Sequence, residues 1–159
     1  MNKHEELLNT FYTALAKRDF ETMKRCYHPQ AEFQDEVFTL KGKEIGAMWH
    51  MLCESGKDLS VRFDGVAADN NQGKAHWIAD YTFSATGRMV NNDISATLEF
   101  KDGKIFRHRD SFDFWRWSRQ SLGLAGVVLG WSPLLKNKVK KMANGKLQQF
   151  IKKHSEYHA

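Results

Sequence analysis

At 159 residues and 18.4 kDa, with 42% hydrophobic and 13% aromatic side chains, the chain suits one globular domain with a full core. Its net charge of +5 belongs to the tail: seven lysines and the single acid Glu156 follow Pro133, leaving residues 1–132 with 17 basic and 18 acidic side chains. Lysines on a tail helix, without interleaved aromatic platforms, argue against a nucleic-acid partner. Two distant cysteines, Cys26 and Cys53, form no CxxC pair, which speaks against a disulfide or zinc framework and suits a reducing compartment. The charged start Met1–Glu6 lacks the apolar stretch of a signal peptide, and no apolar run reaches the length of a membrane span. A cytoplasmic location is the expectation.

Leu7, Leu8, Phe11 and Leu15 recur at helical spacing and predict a helix from about Lys3 to Lys17. Asp19 can cap a short second helix carrying Phe20, Met23 and Tyr27, which Pro29 ends. Residues 31–35 and 37–40 read as two short extended pieces. After Gly42, the spacing of Ile45, Met48, Trp49 and Leu52 predicts a third helix, terminated by Gly56. Four longer strands follow at 59–68, 75–85, 92–101 and 104–114. The first pair flanks the loop 69–73, and the second flanks a tight primed turn at Asp102-Gly103. Beyond Phe114 three glycines make residues 123–131 a loose apolar segment. Pro133 then opens a final helix with Leu135, Val139, Met142, Ala143, Phe150 and Ile151 as its apolar stripe.

The last strand carries the chemistry. Alternation puts Phe106, His108, Asp110 and Phe112 on one face, an imidazole and a carboxylate about 7 Å apart along the strand between two phenyl rings. Ionisable groups on an apolar face cost free energy unless they are paired or used. A proton-handling pocket and a hydrogen-bonded core filler fit this strand equally well. Among the other histidines, His28 decorates a helix end, His76 is solvated, and His50 lies off the apolar stripe of its helix and is expected to be exposed.

Two stretches carry a family resemblance. Tyr27-His28-Pro29-Gln30-Ala31-Glu32-Phe33-Gln34-Asp35 resembles an entry of the form Y-x-x-D-A-x-x-x-D. Residues 100–113 resemble the ending F-x-D-G-K-I…R-D-Y-F-D. In this order they are similar to the nuclear transport factor 2-like superfamily, in its SnoaL-like and ketosteroid isomerase-like branches, over roughly residues 3–117. The resemblance implies an α+β cone in which a strongly bent antiparallel sheet wraps three N-terminal helices around a blind apolar pocket. It divides the chain into a domain at 1–117 and a helical extension at 118–159. Asp35 matches the general base of the isomerases. His108 and Asp110 match pocket positions where polyketide-cyclase relatives hold an acid/base aspartate. The isomerases' tyrosine and second acid are replaced by Phe11 and Ala96, with Tyr12 one place off, which argues against a steroid isomerase.

The resulting expectation is a small-molecule enzyme of isomerase, cyclase or epoxide-hydrolase type. Asp35, His108 and Asp110 would be its catalytic set, and Tyr12, Phe38, Trp49, Tyr81 and Phe112 would line an apolar substrate. No GxGxxG, P-loop, HExxH or paired-cysteine motif occurs, so neither cofactor nor metal is expected. The alternative is a non-catalytic ligand-binding or dimerisation module, with a homodimer expected in either case. The basic tail helix most simply packs on the domain or on a partner subunit. The sharper reading is an interfacial contact of residues 120–154 with a membrane surface.

Overall fold

Asn2 and Asp19 start the first two helices by turning short polar side chains onto free backbone amides. Asn2 accepts from Glu5 N at the head of α1 (Lys3–Ala16), and Asp19 from Thr22 N at the head of α2 (Phe20–Arg25). The computed structural model describes residues 1–159. Helix α2 stops before Pro29 is reached, and Tyr27, expected on that helix, instead begins β1 (Tyr27–Gln34). The chain continues through β2 (Thr39–Lys41), α3 (Lys43–Ser55), β3 (Ser60–Ala68), β4 (Gln72–Phe83), β5 (Arg88–Lys101) and β6 (Lys104–Ser111). Three helices close it: α4 (Phe114–Leu122), α5 (Leu124–Leu129) and α6 (Pro133–Lys153).

The six strands form one sheet in the order β2-β1-β6-β5-β4-β3. Every pairing is antiparallel except β1 with β6, which run parallel. Leu8, Phe11 and Leu15 of α1 and Ile45 and Trp49 of α3 share one buried core with Phe33, Trp77, Ile94, Leu98 and Ile105 of the sheet. The α+β cone expected from the sequence is therefore present. Asp102 and Gly103 both take positive φ (53° and 74°), as the primed β5–β6 turn requires.

Alternation along β6 is broken at one residue. Phe100 pairs with Ile105 but Glu99 pairs with Arg107, so Phe106 is a bulge residue. Ile105 takes the core position, while Phe106 turns outward against His28 and the Lys101 and Arg107 cations. The face holding His108 and Asp110 is thus flanked by Ile105 rather than Phe106.

The segment after β6 is more ordered than its glycines suggested. Asp113 caps α4 by accepting from Arg116 N. Gly126 lets α5 lie against α4, since a Cβ there would fall 2.0 Å from the Ser118 carbonyl oxygen. On α6 the buried positions are Val139 and Leu147, whereas Met142, assigned to the apolar stripe, is exposed. Leu147 and Tyr157 join the principal core, and the chosen boundary at residue 117 falls inside α4.

Candidate active site

The parallel β1–β6 register sets Phe33 beside His108 and Gln34 beside Arg109, which brings Asp35, just past β1, level with Asp110. His108 and Asp110 are 2% and 3% exposed. His108 Nε2 lies 2.9 Å from Asp110 Oδ1, and His108 Nδ1 lies 2.7 Å from the Tyr27 hydroxyl, which is also 3.0 Å from Trp49 Nε1. An ionised carboxylate only accepts, so the bond to Asp110 requires the proton on Nε2. Nδ1 of a neutral ring then accepts from Tyr27, whose oxygen accepts from the Trp49 indole. Every donor in the chain Trp49–Tyr27–His108–Asp110 is matched. The rings of Phe11, Tyr27, Phe33 and Trp49 surround the imidazole at centroid distances of 5.0–6.4 Å.

Asp35 is half-buried, and its Oδ1 accepts from Val37 N and Phe38 N at 2.7 and 2.6 Å, leaving Oδ2 to carry a proton. Burial pushes its carboxyl up from 3.8 to about 6, against the opposing effect of those two amides; Asp110 adds to the rise and His108 opposes it. The Tyr12 hydroxyl is fully buried and has no hydrogen-bond partner, as is the case for Trp77 Nε1. Burial first, then Asp110 and Tyr27, hold the Tyr12 phenol well above its ordinary pKa, so it stays a donor. Unmatched buried donors are uncommon in proteins; of these two core residues, Tyr12 is the one close enough to Asp110 to feel its charge.

Between about pH 4 and 6 the folded chain keeps a proton on Asp35 that the unfolded chain has released. This group's contribution to stability is therefore full in acid, falls as pH rises through that window, and is flat above it. A two-unit shift is worth about 3 kcal/mol. Subtracting the urea-unfolding profile of Asp35→Asn, which keeps the acceptor for both amides, should expose that slope. Parallel profiles would show that Asp35 titrates normally.

The expected lining residues divide into two groups. Tyr12 and Trp49 lie deep beside the His108 chain, with Trp49 committed to Tyr27. Phe38, Tyr81 and Phe112 are only partly buried. Tyr81 and Phe112 meet a second apolar cluster of Val90, Phe114, Trp117 and Val139. Trp117 Nε1 donates to Tyr81 Oη at 2.8 Å, and Lys136 pairs with Glu36 at 2.6 Å, so α4 and α6 roof this end of the cone. A hollow of about 1040 Å³ lies on the opposite, outer face among Glu32, Lys74, Glu99, Arg107 and Arg109. That placement differs from the open inner pocket expected.

Tyr27 and His50 also depart from the sequence expectation. Tyr27, assigned to a helix, is the link between Trp49 and His108, and only the strand register reveals it. His50, expected to be exposed, is 8% exposed, because Phe20 stacks on it and the C-terminal residues Phe150, His154 and Tyr157 enclose it.

A family model described as SnoaL-like domain matches residues 8–108. No curated protein matches the chain. Among solved structures it is similar to an LEH-like epoxide hydrolase of M. tuberculosis (18% identity, 80% of this chain and 96% of that one, TM-score 0.63). It is also similar to TsrD from Streptomyces laurentii (20%, 77% and 96%, 0.65). A third neighbour is a hypothetical protein of Catenulispora acidiphila with a ketosteroid isomerase-like fold, in complex with trimethylamine (11%, 73% and 92%, 0.64). At these identities the likenesses show the fold alone.

Proposed function

The chain belongs to the SnoaL-like domain family, and from that premise we propose that it is a cofactor-free enzyme acting on a small, largely apolar molecule by proton exchange between Asp110 and Asp35. The observation that carries this reading is the convergence of a buried His108–Asp110 pair, a carboxyl raised to about 6 and an unmatched Tyr12 hydroxyl in one aromatic enclosure. Asp110, oriented by His108, is the base. Asp35, whose raised pKa keeps part of it protonated near neutral pH, is the acid. Opening an epoxide illustrates the balance. Asp110 takes a proton from water as the water oxygen bonds to a ring carbon, that C–O bond breaks, and Asp35 gives its proton to the departing oxygen. The Tyr12 hydroxyl is the third group available to a substrate oxygen. The name of the M. tuberculosis neighbour makes epoxides the first class to try.

The closed roof over Tyr81 and Phe112 favours the competing reading, a non-catalytic binding or dimerisation module. Assay of the purified protein against small apolar epoxides and enolisable ketones decides between them. Turnover abolished by Asp35→Asn and Asp110→Asn supports the enzyme; ligand-dependent thermal shifts without turnover support the module. A homodimer would use the outer sheet face, where charges of both signs line the large groove. The free, buried Cys26 and Cys53 suit a reducing cytoplasmic setting.

The interfacial reading of the tail gains a surface. Leu124, Val128, Trp131 and Leu134 are each more than half exposed, and residues 114–155 hold nine lysines and arginines and no acid. No helix is long and apolar enough to cross a membrane. Such a patch suits the face of an anionic bilayer, with tryptophan at headgroup depth. The intact protein should sediment with phosphatidylserine-containing vesicles, less so at high salt, and Trp131→Ser with Leu134→Gln should abolish it. Failure of the intact protein to bind removes the proposal.

A further inference from the structure

We propose that His50, Glu54 and His154 form a binding site for a divalent transition-metal ion, most suited to zinc, that clips the C-terminal end of the chain to α3. His50 and Glu54 sit one turn apart on α3, with His50 Nε2 3.0 Å from Glu54 Oε2. His154 follows α6 and brings its imidazole to 5.1 Å from that of His50, ring centre to ring centre. One ligand atom from each residue lies within 4.8 Å of the other two. Zinc holds nitrogen and carboxylate ligands at about 2.0–2.2 Å, so ligand atoms in a tetrahedral site stand about 3.3–3.5 Å apart. Closing the set needs a shift of at most about 1.4 Å, which the exposed Glu54 and the half-buried His154 can supply.

The supporting contacts suit ligation. His50 Nδ1 lies 2.8 Å from the Tyr157 hydroxyl, and His154 Nδ1 lies 2.7 Å from the Phe150 carbonyl oxygen. A metal-bound imidazole gives its second N–H to such an oxygen, which sets the tautomer and aims the free nitrogen at the ion. Both rings are also held by stacking, His50 on Phe20 at 3.8 Å and His154 on Phe150 at 3.9 Å. His76 makes the contrast. It too has two carboxylates in reach, but Asp64 bonds its Nδ1 and Asp93 its Nε2, so they sit on opposite sides of the ring and cannot share one ion. At His50 three ligands converge from one side, and the partial exposure of Glu54 leaves a fourth position for water. His50 turns to the C-terminal residues while its neighbour Trp49 faces His108, and the site shares no residue with the proposed catalysis.

The test uses tag-free full-length protein stripped with chelator and titrated with Co²⁺ and then Zn²⁺. Expected are one Co²⁺ per chain with visible tetrahedral absorption, its displacement by Zn²⁺, and a Zn²⁺-dependent rise of about 5 °C or more in Tm. The doubly substituted Glu54→Gln/His154→Gln protein changes no fully buried group and should fold as the parent does. It should lose the absorption and the Tm rise together. Lack of stoichiometric Co²⁺ binding by the parent overturns the proposal, as does binding that persists unchanged in the double variant.

Discussion

Asp110→Asn should lower turnover of any substrate by a factor of about 10²–10⁴, the range associated with a lost general base, while leaving the fold in place. The amide is nearly isosteric, and its oxygen can still accept from His108 Nε2, so the imidazole keeps its orientation. What disappears is an oxygen basic enough to take a proton. The new amide N–H groups enter a space with few acceptors, which costs about 1–3 kcal/mol of stability. Steady-state kinetics and chemical denaturation on the same preparation separate the two effects. A variant that unfolds with only that modest loss but retains full turnover would remove Asp110 from the chemistry.

Tyr27→Phe is the matching test of architecture. Its single hydroxyl meets His108 Nδ1 at 2.7 Å and Trp49 Nε1 at 3.0 Å, all three groups being buried. Deleting the oxygen leaves an imidazole nitrogen and an indole N–H unmatched in a buried aromatic enclosure. Each orphan costs about 1–3 kcal/mol, so a loss of about 2–6 kcal/mol is expected. For a chain of this length that corresponds to a fall in Tm of about 5–15 °C. His108 would also lose one of the two hydrogen bonds that orient it, keeping only the one to Asp110, and activity should drop with Asp110 unchanged. A loss below about 0.5 kcal/mol would mean that the hydroxyl is not the central link of the buried chain.

Much of this molecule was legible because its signals are local. Asp19 had to cap a helix, and Asp102-Gly103 had to form a primed turn, since backbone amides and positive φ make demands a few residues long. The carboxylates and imidazole were legible too, because charge on an apolar strand face is conspicuous whatever lies opposite. The roof was harder. Glycines at 123, 126 and 130 suggested looseness, yet Gly126 marks tight packing of α5 on Ser118, and glycine serves both purposes.

Alone, the amino-acid order determined the run of elements as far as β6 and the placement of His108 and Asp110 on an inward face, and the family resemblance supplied the bent α+β sheet. Tertiary structure decided who their neighbours are. The Phe106 bulge, the parallel register that sets Asp35 level with Asp110, the bond from Tyr27 across 81 residues of chain, and the burial of His50 under the C-terminus all depend on contacts distant in sequence. Such contacts leave no periodicity behind. They arise when strands choose a register and helices choose a face, where hydrophobic burial of the whole core outweighs local preference.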